Sequence, residues 1–246
     1  MRARVLQLPR MKVEAPKHIA VVLFGGVGTR YASKLPKQFA IVGDRPLMCY
    51  PLRALNESPD VDEILVVAPV AYSKATQDII HDYRYRKVDA VIDGGKERED
   101  SVFNALAYLY QKGVEPKDIV LICDGDRPNL TPELIKANIE AAIQYGAAVT
   151  AIPATDSIIY SEGGNSVEQY LPRKVVYLAQ TPQTFQFSLI YNAHLKARRH
   201  PKLIFTDDAS IAAFSRKKAH IVLGSSANLK ITTKQDAAIF LLGRKK

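Results

Sequence analysis

The chain has 246 residues, 47% of them apolar, two cysteines and a formal net charge of +9, which suits one α/β domain with a small appendage and a large core. No apolar run approaches the roughly 20 residues of a membrane span, and the basic start, MRARVLQLPRMKVEAPK, lacks the apolar centre and cleavage site of a secretory signal. Residues 1–17 carry five cations against one anion and the chain ends on three more, so most of the charge sits in expected tails and nucleic-acid binding, which needs cations on a folded face, is disfavoured.

The first element is HIAVVLF (18–24), a continuous apolar run of the kind a strand shows when both its faces are covered. EILVVA (63–68), DAVI (89–92), DIVLIC (118–123) and AAVTAI (147–152) repeat it. Between them lie helical patterns. In SVFNALAYLYQK (101–112), positions 102, 103, 105, 106, 109 and 110 form a wide apolar stripe, with Asp100 as the expected N-cap. TPELIKANIEAAIQYG predicts a helix with Thr131 as N-cap, Pro132 at the first position, Glu133 at the positive end of the dipole and Gly146 at the C-terminus. Strand and helix alternate, so a mostly parallel sheet with right-handed crossovers follows. Near Pro153 the alternation breaks. Residues of about 153–175 contain β-type runs around EGGN and predict a projecting arm. Then come TDDASIAAFSRK with Thr206 as N-cap, strands at HIVL and LKIT, and a closing helix from about Thr233. Residues 1–17 are expected to be a flexible extension and 18–246 a single domain. Cys49 and Cys123 sit in apolar runs without disulfide or metal-ligand spacing, which fits a reducing cytoplasm.

Open parallel sheets bind ligands at the carboxyl ends of their strands. The first such loop, GGVGTRYASKLPKQF, is not a dinucleotide fingerprint, because Tyr31 stands where the third glycine belongs, and no Gly-Lys-Ser/Thr follows to make a P-loop. Its glycines still let backbone amides close on an anion, and Arg30 and Lys37 add full charges. Polyphosphate fits best; a Gly-rich turn with surface cations is the bland alternative. The second loop, DGGKERED, repeats paired glycines before a helix, where Ser101 could read a base or ribose edge; a plain capped turn explains most of it. The third, CDGDRP, puts Asp124, Asp126 and Arg127 at a strand end, where a carboxylate can hold Mg²⁺ against phosphates and Arg127 can clamp phosphate or pair with Asp124. Lys230, in NLKIT, carries nothing taken alone, since most lysines in such positions are edge-strand gatekeepers.

Taken together, LFGGVGTRY, PKQF, GGKEREDS, CDGDRP, Asp156-Ser157, QTPQTF, TDDAS and NLKIT occur in the order of the family motifs of the polyol-phosphate cytidylyltransferases, which the chain resembles from about 19 to 242. That family includes the 2-C-methyl-D-erythritol 4-phosphate and ribitol-5-phosphate enzymes. The resemblance implies a three-layer, Rossmann-like nucleotidyltransferase fold with a β-arm, and transfer of CMP from CTP to a polyol phosphate with Mg²⁺. It implies transition-state roles for Arg30 and Lys37, and CTP contacts from Leu23, Phe24, Gly25, Gly26 and Gly28 and from Gly95, Lys96, Glu97, Arg98, Glu99, Asp100 and Ser101. Asp124 would help to place the metal. Arg127, Ser157, Arg173 and Lys230 would contact the acceptor, Arg173 reaching across a homodimer formed through the arm. Phe24, Cys123, Ser157 and Lys96 depart from the family pattern, and bulk at Phe24 bears on the base pocket. Thr29, LPKQF, LPR and QTPQTF lean toward ribitol 5-phosphate as acceptor; TDDAS and the ER of GGKER lean toward methylerythritol 4-phosphate. Ribitol 5-phosphate is favoured, with the methylerythritol enzyme of isoprenoid biosynthesis as the alternative. A nucleotidyltransferase acting on a sugar 1-phosphate and a non-catalytic nucleotide-binding protein are the remaining readings.

Overall fold

The computed structural model describes residues 15–25 and 36–244. The elements run β1 (His18–Leu23), β2 (Ile41–Val42), β3 (Arg45–Pro46), α1 (Cys49–Glu57), β4 (Glu63–Ala68), α2 (Ser73–Asp82), β5 (Val88–Asp93) and α3 (Arg98–Gln111). They continue with β6 (Ile119–Asp124), α4 (Pro132–Tyr145), β7 (Ala147–Pro153), β8 (Ile158–Tyr160), β9 (Gln169–Leu171), β10 (Tyr177–Gln186), α5 (Phe187–Ala197), α6 (Asp208–Phe214), β11 (His220–Leu223) and α7 (Lys234–Gly243).

Seven strands form the central sheet in the order β11-β7-β10-β6-β1-β4-β5. β1 pairs in parallel with both β4 and β6, β4 with β5, and β11 with β7; β10 alone runs antiparallel, between β6 and β7. Successive side chains of a strand point to opposite faces, and β1 shows the result. Ala20 and Val22 pack with Leu52 and Leu55 of α1 and Ile135 and Ile139 of α4. Ile19, Val21 and Leu23 pack with Val102, Leu106 and Leu109 of α3 and Ile190 of α5. Both faces are covered, so the run is apolar throughout, and the result is the three-layer, mostly parallel architecture expected. A third cluster joins α7 to the β2–β3 hairpin through Val42, Leu47, Ile231 and Phe240.

Local signals set most boundaries. Thr131 accepts from the Leu134 N–H, Pro132 opens α4, and Gly146 closes it at φ 82°. Four readings change. Glu97, not Asp100, caps α3: its side chain accepts from the backbone of Asp100, whose own carboxylate accepts from the Glu97 N–H. This reciprocal pair satisfies two donors where a single Asp100 cap would satisfy one. Asp207, not Thr206, caps α6, in a reciprocal pair with Ser210. LKIT is not a strand; the Ile231 N–H donates to the Asp126 carbonyl, which ties this stretch to the loop after β6. In α3 the buried stripe is narrower than expected. Tyr110 is 60% exposed and stacks on Tyr191 at 4.9 Å.

The arm is an antiparallel β8–β9 hairpin. Residues 1–14 of the expected extension lie outside the described residues. Lys17 already belongs to the fold: its N–H donates to Asp118 Oδ1 at 2.9 Å and its carbonyl accepts from the Ile119 N–H. No helix among the described residues is long and apolar enough to cross a membrane.

Candidate active site

The carboxyl ends of β1, β5 and β6 open on a cavity of 320 Å³ walled also by the stretch before α7. Leu23, Gly25, Lys37, Gly95, Lys96, Glu97, Arg98, Ser101, Asp124 and Lys230 line it, so residues as far apart as Leu23 and Lys230 meet there as the strand-end rule predicts. Asp126 lines it as well. A larger, more open hollow of 840 Å³ lies between α2 and β5, walled by His81, Arg84 and Arg86. It is at the sheet edge, away from the switch between strands, and gathers none of the strand-end groups.

The cavity is built around two carboxylates. Asp124, at the end of β6, accepts from Arg98 Nε on Oδ1 at 3.2 Å and from Lys230 Nζ on Oδ2 at 2.9 Å; Arg127 Nε stands 3.7 Å from Oδ2. Burial pushes the Asp124 carboxyl up, but Arg98, Lys230 and Arg127 outweigh it and hold it at about 2. Asp126 pairs with Lys37, whose Nζ also donates to the Ile231 carbonyl at 3.1 Å. The other oxygen, Asp126 Oδ1, is buried without a hydrogen-bond partner among the described residues, 3.8 Å from Lys230 Nζ.

The glycines of the second loop have a steric reason. A Cβ on Gly95 would stand 2.1 Å from that of Asp100, so only glycine lets the loop close on the start of α3. Ser101 Oγ accepts from the Gly95 N–H at 3.0 Å and donates to the Glu97 carbonyl, so its hydroxyl already braces the loop. Residues of QTPQTF and TDDAS hold the site from behind. Thr181 Oγ1 accepts from the Asp124 N–H, and Gln183 bridges Asp207 and the Ala209 N–H at the start of α6.

Several expected residues are placed elsewhere. Phe24 is 3% exposed and sits in the core. Its ring covers Gly125, where an added Cβ would stand 2.3 Å from ring carbons. The bulk at 24 is thus absorbed by a missing side chain at 125, rather than filling the cavity. Glu99 and Asp100 face a separate hollow beside Arg198. Arg127 is held behind Asp124, donating to the Asn228 carbonyl at 2.7 Å. Ser157 is exposed on the arm, and exposed Arg173 donates to the Thr155 carbonyl at 2.8 Å. Neither lines the cavity of its own chain. Gly26, Gly28 and Arg30 lie outside the described residues. Sequence reasoning missed the buried partners Asp208 and His194; the only signal was the second aspartate of TDDAS.

Cys123 is buried and has its thiol pushed up by burial, and burial likewise lifts Cys49 to about 11. Neither is a nucleophile at neutral pH.

A parallel sheet whose strand ends gather lysines and an arginine around two carboxylates is the arrangement of an α/β nucleotidyltransferase: it binds anions and brings no side-chain nucleophile. The model of the IspD family, 2-C-methyl-D-erythritol 4-phosphate cytidylyltransferase, matches residues 18–242. The enzyme of that name from Syntrophus aciditrophicus (strain SB) is 39% identical over 224 residues, covering 90% of this chain and 93% of its own. That of Thermosipho melanesiensis is 37% identical over 229 residues, 93% of this chain and 97% of its own. The crystal structure of 4-diphosphocytidyl-2C-methyl-D-erythritol synthase from Anaerococcus prevotii superposes with a TM-score of 0.79 at 27% identity, over 94% of this chain and 97% of that one. The chain belongs to the IspD family and is a cytidylyltransferase. The acceptor in those names is methylerythritol 4-phosphate, so the comparisons support the alternative and not the favoured ribitol 5-phosphate. The short motifs that suggested ribitol carry no physical discrimination between two small polyol phosphates, and Thr29 lies outside the described residues.

Proposed function

We propose that the chain transfers CMP from CTP to 2-C-methyl-D-erythritol 4-phosphate, releasing pyrophosphate. The observation that carries this reading is the convergence of Lys37, Arg98 and Lys230 on Asp124 and Asp126 in a chain that matches the family along its length.

The chemistry asks for little beyond positioning and charge. An oxygen of the acceptor's phosphate attacks the α-phosphorus of CTP in line; a new P–O bond forms as the bond to pyrophosphate breaks, and pyrophosphate takes the electron pair. Both reactants are polyanions, so the barrier falls as fixed cations neutralise them. Lys37 and Arg30 take the triphosphate, Lys230 the acceptor phosphate, and the glycine loops the nucleoside. In the free chain Lys37, Arg98 and Lys230 rest on Asp124 and Asp126.

A divalent ion fits this pair of carboxylates. Asp126 Oδ1 has no hydrogen-bond partner among the described residues, and Asp124 stands beside it. Those two residues would hold Mg²⁺, which when bound neutralises phosphate charge. Mg²⁺ in such sites takes one or two carboxylates and completes its shell with phosphate and water.

The arm exposes Ile159, Tyr160, Tyr170 and Val175, at 51%, 48%, 70% and 72%, and Leu178 at the adjoining start of β10 is 48% exposed. A second copy of the chain covers this face in our reading, which would bring Arg173 of the arm to the cavity of a partner subunit. The buried free thiols suit a cytoplasmic setting.

Steady-state pyrophosphate release with CTP, Mg²⁺ and either acceptor tests the proposal. Methylerythritol 4-phosphate should give a kcat/KM at least 100-fold above ribitol 5-phosphate. The reverse preference would overturn the acceptor, and no release with either would overturn the reading.

A further inference from the structure

We propose that His194 is a positioning residue, which through Asp208 aims the Arg98 guanidinium into the cavity. His194 lies on α5, has no exposed surface and is not among the residues that line the cavity. Its Nε2 stands 3.2 Å from Asp208 Oδ1. The carboxylate can only accept there, so Nε2 carries the proton and donates. Asp208, also fully buried, accepts from Arg98 Nη1 on its other oxygen at 2.8 Å. Arg98 Nε then reaches Asp124 at 3.2 Å. One line of side chains thus runs from α5 through α6 and α3 to the end of β6.

Two features give His194 a purpose beyond filling space. Its Nδ1 is buried with no hydrogen-bond partner among the described residues, which costs free energy. The neighbouring inward positions on α5, Ile190, Ala193 and Ala197, are apolar, and an apolar residue at 194 would avoid that cost. Asp208 also sits in the first turn of α6, where the helix dipole favours its charge. That attraction holds for any rotation of the carboxylate. Among the described residues His194 is the donor to Asp208 besides Arg98, so it fixes the plane of the carboxylate, and with it where an arginine side chain that is 32% exposed presents itself to ligand.

The inference rests on reading the cavity as the CTP site, and the test separates the two. In the full-length protein, the Arg98 Nε–H resonance is followed by NMR beside pyrophosphate-release kinetics and thermal melting, for wild type, His194→Leu and His194→Gln. A misaimed group costs on the order of 10–100-fold, so His194→Leu should lose at least tenfold in kcat/KM for CTP and lose the slowly exchanging Arg98 signal. His194→Gln, whose amide nitrogen can replace Nε2, should stay within threefold and keep the signal. An Arg98 signal unchanged in His194→Leu overturns the proposal, as does equal loss in both variants in step with melting temperature. If His194→Leu does not fold, Asp208→Asn takes its place: it should lose the signal while melting as a folded protein, and an unchanged signal overturns the proposal. If wild type neither binds nor consumes CTP, the site reading fails while the Arg98 signal still decides the role of His194.

Discussion

Lys37→Ala separates the two roles of one ion pair. The Lys37 and Asp126 side chains are each only 13% exposed. Truncation leaves the largely buried Asp126 carboxylate with Lys230 at 3.8 Å as its nearest cation among the described residues. Stranding a charged acceptor of this kind costs about 1–3 kcal/mol, or a melting temperature lower by roughly 2–12 °C in a domain of this size. The catalytic loss is a different quantity. Removing one charge aimed at the transition state costs about 3–4 kcal/mol, or 10²–10³ in kcat. The double variant Lys37→Ala/Asp126→Asn should therefore recover most of the stability and none of the rate. Urea denaturation and pyrophosphate release, on the same preparations, read both. Lys37→Ala within threefold of wild-type kcat, or a double variant that regains activity along with stability, would refute the reasoning.

Three further outcomes follow from the geometry. Gly125→Ala should destabilise by about 1–3 kcal/mol, because its Cβ meets the Phe24 ring at 2.3 Å; the cost should shrink in Phe24→Ala/Gly125→Ala, and strict additivity in a denaturation cycle would deny the coupling. Asp124 ionises at about 2 when folded against 3.8 for a free carboxyl, so its contribution, on the order of 2 kcal/mol, is full above about pH 4 and is lost as pH falls toward 2. Wild type should lose stability over that window faster than Asp124→Asn, and parallel acid transitions would count against the ion-pair account. Native protein treated with iodoacetamide at pH 8 should keep full activity with Cys49 and Cys123 unlabelled by mass spectrometry, since burial keeps both thiols protonated.

What could be read along the chain was whatever local chemistry decides. Val21 and Val22 face opposite helical layers, so the β1 run is apolar at every position and its type is plain. Thr131, Pro132 and Gly146 mark α4 because capping and left-handed backbone are properties of single residues. Caps become ambiguous where two capable residues compete. Glu97 and Asp100 satisfy each other, and Asp207 wins over Thr206 because Gln183, from a distant strand, braces it. Position in the loops after the strands pointed to Lys37, Arg98 and Asp124, and the family motif NLKIT to Lys230. Their pairing did not appear, because Arg98 meets Asp208 across 110 residues and Lys37 meets Asp126 across 89, distances over which the sequence has no periodicity. Nor could the sequence show that Phe24 is accommodated by Gly125, since the contact is made by strands β1 and β6 lying side by side.

Isotope tracing tests the central idea, that clustered strand-end cations bring CTP and a phosphorylated acceptor together for direct transfer. With CTP, Mg²⁺ and methylerythritol 4-phosphate labelled with ¹⁸O in its phosphate, the account predicts equimolar pyrophosphate and CDP-methylerythritol, with all of the label in the latter. Label in pyrophosphate, or pyrophosphate released without the diphosphate product, would contradict it.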